Sequence, residues 1–161
     1  MCFRITLKLI DYADEIYHPY DVVGFQNLAN DLQRAHNSII RFALRLKYCD
    51  SITPHRNRLG MLKLNSRRNL HVAALIYQCI HRLAAPYLNE ILHLCANNTR
   101  QDGLIKVAKP STNQDMLSLC VGGARFFNRL PVSIRNAESI ENFSSELKAL
   151  LFAEQCRDLI T

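Results

Sequence analysis

The chain has 161 residues, 48% of them apolar and 21% charged, with twenty Lys/Arg against fourteen Asp/Glu for a formal net charge of +6. That is apolar material enough for one domain with its own core, yet no run approaches the roughly 18 uncharged apolar residues of a spanning helix, which excludes a membrane protein. The opening MCFRITLKLIDYADE meets Arg4, Lys8 and Asp11 too early for a signal-peptide core, so an intracellular protein, cytoplasmic or nuclear, is expected.

Leu7, Ile10 and Tyr17 favour a first helix from about Thr6 to Tyr17, although Phe3, Ile5, Leu7 and Leu9 alternate as a strand would. His18-Pro19 ends it, because the residue before proline avoids the helical region. Beyond Gly24, the residues Phe25, Leu28, Leu32, Ala35, Ile39, Ala43 and Leu46 recur at spacings of three and four. They predict a helix over about 25–47 with that stripe buried. Thr53 and Pro54 read as the cap and first position of a short helix that Gly60 stops. Asn65 or Ser66 then caps a third, periodic helix whose Leu70, Ala73, Ala74, Tyr77, Ile80 and Leu83/Ala84 face inward. Pro86 breaks it and starts a fourth, about 86–95.

The stretch 96–115 is rich in Asn, Thr, Asp and Gly and reads as an internal polar loop. Leu104 to Ala108 and Met116 to Val121 admit one short antiparallel β-hairpin. Gly122-Gly123 ends it, Ala124 to Arg129 makes a helical turn or two, and Leu130-Pro131 closes that segment. From Ser139 to about Ile160, Ile140, Phe143, Leu147, Leu150, Leu151 and Leu159 make a last amphipathic helix. The expected fold is mostly α, a single-domain helical bundle with a short hairpin at about 104–108 and 116–121.

Charge is unevenly placed. Between Arg34 and Arg68, nine cations (Arg34, Arg41, Arg45, Lys47, Arg56, Arg58, Lys63, Arg67 and Arg68) stand against one acid, Asp50, a local net of +8 that leaves −2 for the remainder. Arg34, Arg41 and Arg45, spaced by seven and four, stack on the helix face opposite the apolar stripe. An ordinary solvated face mixes both signs; this block is nearly all positive and points to a polyanion, RNA or DNA, held through its phosphates. Guanidinium groups suit that task because they donate bidentate hydrogen bonds to phosphate oxygens. No aromatic ladder interleaves with these arginines, so the sequence favours a duplex backbone over stacked single-strand bases.

The residues for chemistry are scarce. Tyr12-Ala13-Asp14-Glu15 invites comparison with the Tyr-x-Asp-Asp turn of reverse transcriptases, but eleven residues precede Tyr12, too few for the further carboxylate and nucleotide-holding region a polymerase site needs. Asp14 and Glu15 read better as solvated acids near a helix terminus. Cys79-Ile80-His81 and His93-Leu94-Cys95 mirror one another as a zinc site might, yet residues two apart on a helix diverge by about 200°. The six cysteines (Cys2, Cys49, Cys79, Cys95, Cys120 and Cys156) include no CxxC pair and read as small hydrophobes, without a disulfide framework. No Gly-rich phosphate loop or Gly-x-Ser-x-Gly occurs. An enzyme is not expected, nor a metal or cofactor.

The order of segments resembles a known family. Leu32-Gln33-Arg34-Ala35-His36-Asn37-Ser38-Ile39-Ile40-Arg41-Phe42 comes first, then Ile52-Thr53-Pro54 and Leu59-Gly60-Met61-Leu62 with Arg67-Arg68. Tyr77 and His81 precede Leu83-Ala84-Ala85-Pro86-Tyr87-Leu88, and Phe127-Asn128-Arg129-Leu130-Pro131 is followed by Phe143 to Phe152. Together these resemble the C-terminal region of jockey-like non-LTR retrotransposon reverse transcriptases, over nearly the whole chain. Met61 and Phe127 stand where that family commonly has tryptophan, and Ala85 replaces the first of two prolines. The resemblance implies thumb-like helices following a palm, with Asp11-Tyr12-Ala13-Asp14 in a stretch after the palm and not in the catalytic turn. It implies a non-catalytic remnant that grips a template–primer duplex or neighbouring RNA. The alternative is a helical module whose apolar surface, shaped to rest on a palm domain, binds another protein or itself.

Overall fold

The computed structural model describes residues 26–93, 104–107, 109–111 and 118–157; the expected N-terminal helix and most of the 96–115 loop lie outside them. The described residues form seven α-helices and one π-helical turn. In chain order these are α1 (Gln26–Leu44), α2 (Ile52–Arg58), α3 (Leu64–Ile80), α4 (Pro86–His93), the π turn (Leu119–Gly123), α5 (Ala124–Arg129), α6 (Val132–Arg135) and α7 (Ile140–Arg157). The fold is mostly α, as the patterning implies, and no described helix is long and apolar enough to cross a membrane.

The helix on which the others converge is α3, touched by α1, α4, the π turn, α5 and α7. Its Val72, Ala73, Ile76 and Tyr77 meet Phe127 of α5 and Phe143, Leu147 and Leu151 of α7 in one core. The Tyr77 ring stacks on Phe143 at 4.6 Å between centroids while its hydroxyl donates 2.6 Å to the Ala137 carbonyl, so the one polar atom of that buried ring is satisfied. Gly123 lets the π turn approach closely, because a Cβ there would lie 3.0 Å from Ile76 Cδ1 and 3.1 Å from Val72 Cγ1. Along α7 the buried side chains fall every four residues, Phe143, Leu147, Leu151 and finally Gln155. The helix begins where expected, Ser139 Oγ accepting from Asn142 N–H at 3.2 Å.

Three helices end alike. At Arg45, Gly60 and Arg82 the backbone takes a positive φ of 52°, 62° and 56°. At each, the following N–H reaches back five residues and the residue's own N–H three: Leu46 to Arg41 and Arg45 to Phe42, Met61 to Arg56 and Gly60 to Asn57, Leu83 to Gln78 and Arg82 to Cys79. This double bond satisfies carbonyls that a helix end leaves open. Gly60 stops α2 as expected, whereas α1 and α3 stop earlier than their periodicity implies, at Leu44 and Ile80.

The hairpin is absent among the described residues. Residues 119–121, expected in its second strand, are helical, and residues 104–107 carry no strand pairing. The side-chain amide of Asn128 takes the place of a neighbouring strand for Ile105. Asn128 Oδ1 accepts from Ile105 N–H at 2.9 Å and its Nδ2 donates to Ile105 O at 2.8 Å. With its backbone satisfied, Ile105 buries its side chain in the core.

The buried faces also rotate. On α3 the buried residues are Leu64, Arg68, Val72, Ala73, Ile76, Tyr77 and Cys79, while Ile80 and Leu83 are exposed. A helix covered on several sides buries a broad arc, so its periodicity names the arc's centre poorly. On α1 the expected stripe is outside or half-outside: Ala35 and Ala43 are exposed, Leu32, Ile39 and Leu46 half-buried. His36 and Ile40 are the buried positions instead. Gln33, on that same face, explains the rotation: its Oε1 accepts from Leu64 N–H at 3.0 Å, so α1 turns a polar acceptor toward the open N–H groups of the α3 terminus.

Candidate nucleic-acid interface

The first turn of α3 has no side-chain cap from its own N-cap residue, Lys63. Two donors at this end, the Lys63 and Leu64 N–H groups, are met by glutamines from distant parts of the chain. Gln155 Oε1 of α7 accepts from Lys63 N–H at 2.7 Å, and its Nε2 donates to Asn57 Oδ1 at 3.0 Å and to Met61 O at 3.3 Å. Gln33 takes Leu64 N–H and donates to Asn37 Oδ1 at 2.9 Å. The loop that carries the middle of the basic block is thereby pinned between α1 and α7. Neither glutamine stands out in the sequence, where a polar residue ending an apolar four-spaced ridge is the only signal.

This packing divides the nine cations. Arg34, Arg45, Lys47 and Arg58 are exposed, and Arg41, Lys63 and Arg67 half-buried. Arg56 and Arg68, expected among the phosphate-binding residues, keep only 5% and 7% of their surface and are buried positions of this fold. Their stems pack in the interior, and burial lowers the Arg56 pKa from its ordinary value. Arg34 bonds Asp31 Oδ1 at 3.1 Å, an exposed pair with an acid just ahead of the block. Such a pair in solvent contributes little to stability.

Beside Arg56 and Arg67 lies His36, fully buried, with no hydrogen-bond partner at either ring nitrogen among the described residues. Burial, then the Arg67 charge, then the Arg56 charge push its pKa down to about 4. The imidazole is therefore neutral at pH 7, a core residue that keeps α1 against α2 and α3 without adding charge.

The cationic surface gathers at the end of α1. Asp50 shapes it from within: its Oδ2 accepts from Lys47 N–H at 2.8 Å, and its carbonyl accepts from Arg41 Nη2 at a long 3.4 Å. The Arg41 guanidinium lies 5.6 Å from the centroid of the Tyr48 ring, within cation–π range. Tyr48 is 89% exposed and Phe42 84%. Two large aromatic surfaces therefore stand in solvent in the stretch that carries Arg41, Arg45 and Lys47.

Of the residues in the zinc comparison, Cys79 is buried and His81 is exposed against the Tyr77 ring at 4.2 Å, while Cys95 and the His93 side chain lie outside the described residues. Among the described residues no group of three His, Cys, Asp or Glu side chains converges, and Cys49, Cys79 and Cys156 are free thiols. No known family model, curated protein or solved structure matches the chain.

Proposed function

We propose that this chain is a non-catalytic nucleic-acid-binding helical domain, a remnant of the C-terminal region of a non-LTR retrotransposon reverse transcriptase, that grips the phosphate backbone of RNA or an RNA/DNA hybrid. The observation that carries the reading is exposed Arg45 and Lys47 with half-buried Arg41 at the end of α1, where the one block acid, Asp50, is occupied by the Lys47 backbone N–H; Arg58 at the end of α2 is exposed as well. Cations with no acid side chain bonded to them among the described residues attract a polyanion. Arg34 adds to it when phosphate displaces Asp31, whereas Arg56 and Arg68 serve the fold.

The test is a titration of labelled RNA across a salt series. Affinity should fall with a log–log slope of about 0.7 to 0.9 for each phosphate neutralised. Arg45→Glu, Lys47→Glu and Arg58→Glu together should weaken binding to every sequence and flatten the slope by about one unit for each phosphate that is no longer neutralised. The same reversal at exposed Lys106, Lys109 and Lys148 is the control. Equal losses of affinity in both triple variants, or no binding by the parent at low salt, would refute the reading.

One observation favours a second reading, a protein-interaction module. Ile80, Leu83 and Tyr87 are all exposed where α3 gives way to α4, and clustered apolar side chains in solvent mark protein-binding surfaces. A concentration-dependent mass in analytical ultracentrifugation, abolished by Leu83→Glu, would support it.

A further inference from the structure

We infer that Phe42 and Tyr48 form a base-stacking platform that takes an unpaired segment of nucleic acid, its bases on the two rings and its phosphates on Arg41, Arg45 and Lys47. This rests on the basic-surface reading and names the form of nucleic acid it prefers.

Three observations carry it. First, Phe42 and Tyr48 are 84% and 89% exposed, and a large ring in water is a standing cost unless a partner covers it. Second, Arg41 is positioned over Tyr48 at 5.6 Å while its Nη2 is anchored to the Asp50 carbonyl. With one face of the ring steadied by the guanidinium, the other is open to a second planar group, and the stack of cation, phenol and base that results is the arrangement single-strand grooves use. Third, Arg45 sits between them at φ 52°, a conformation that costs a side-chain-bearing residue energy and that glycine adopts readily, as Gly60 does at the same kind of helix end. An arginine held there places a cation in the turn that joins the two rings.

Charge selects the occupant. The local cations are Arg41, Arg45 and Lys47, and the local acid, Asp50, has its carboxylate turned onto the backbone, so the surface suits an anion with planar faces. A duplex offers the anion but keeps its base faces stacked inside. An unpaired strand offers both.

The test uses the full chain and three fluorescently labelled RNA probes of equal length: an unstructured single strand, a duplex, and a strand of abasic residues with the same phosphates. At moderate salt the parent should bind the single strand at least tenfold more tightly than the abasic strand, because each stacked base contributes about five- to hundredfold in affinity. Phe42→Ala with Tyr48→Ala should reduce single-strand binding to the abasic level and leave duplex binding and circular dichroism unchanged, both rings being exposed. Tyr48→Phe should keep the preference, since it keeps the ring. Equal binding of intact and abasic strands by the parent, or a preference that survives in the double alanine variant, overturns the platform while leaving the basic surface standing. If no probe binds at low salt, the basic-surface reading fails and the platform with it. A double variant that loses binding to an acidic peptide but to none of the RNAs would assign the rings to a protein partner and likewise overturn the proposal.

Discussion

Acidifying the protein from pH 7.5 to 5 should remove about 2 kcal/mol of its stability through His36 alone, rising to about 3 kcal/mol by pH 4. In the unfolded chain the imidazole titrates near 6.5, and in the fold at about 4. Between those values the unfolded state holds a proton the folded state refuses, so stability is greatest above pH 6.5 and falls as pH drops toward 4. Most of that window lies above the ordinary carboxylate range. His36→Leu should remove the dependence. It replaces a buried ring that has no hydrogen-bond partner with an apolar chain, and should itself be near neutral at pH 7. Urea unfolding followed by circular dichroism at half-unit pH steps, parent against His36→Leu, isolates the effect, because every other titrating group is common to both. Parallel profiles would refute the burial of a neutral His36 beside Arg56 and Arg67.

Further outcomes follow from the packing. Ile40→Asp should unfold or aggregate the protein, an unpaired buried carboxylate costing several kcal/mol, while Ile39→Asp, at a half-buried position, should remain soluble with an unchanged spectrum; the reverse ranking would restore the face the periodicity implies. Gln155→Met should cost about 1–3 kcal/mol in urea unfolding, because it leaves the Lys63 N–H and the Asn57 and Met61 acceptors without their shared partner. Arg45→Gly should raise stability by about 0.5–1 kcal/mol by relieving the positive φ, and weaken RNA binding by removing a cation; a loss of stability would show that the Arg45 side chain packs on the fold despite its exposure.

Spacing alone was enough to name several elements. Phe143, Leu147 and Leu151 identify α7 because that helix buries one narrow ridge, and Pro86 and Gly60 mark a start and a stop because their backbone preferences are local. The basic block is likewise legible, since charge is a property of composition. What periodicity could not assign were positions governed by partners far along the chain. Asn128 replaces a strand for Ile105 from 23 residues away, and Gln155 and Gln33 cap α3 from 92 and 31 residues away. Once α1 had to present Gln33 to that helix end, its buried face became His36 and Ile40, its apolar stripe turned outward, and Phe42 was left in solvent beside Arg41. The same packing closed Arg56 and Arg68 inside. Residue type determined how much positive charge this stretch carries; only tertiary structure decided which of those charges reach solvent, because hydrogen-bond demands at a helix terminus are met by whichever side chain the fold brings there.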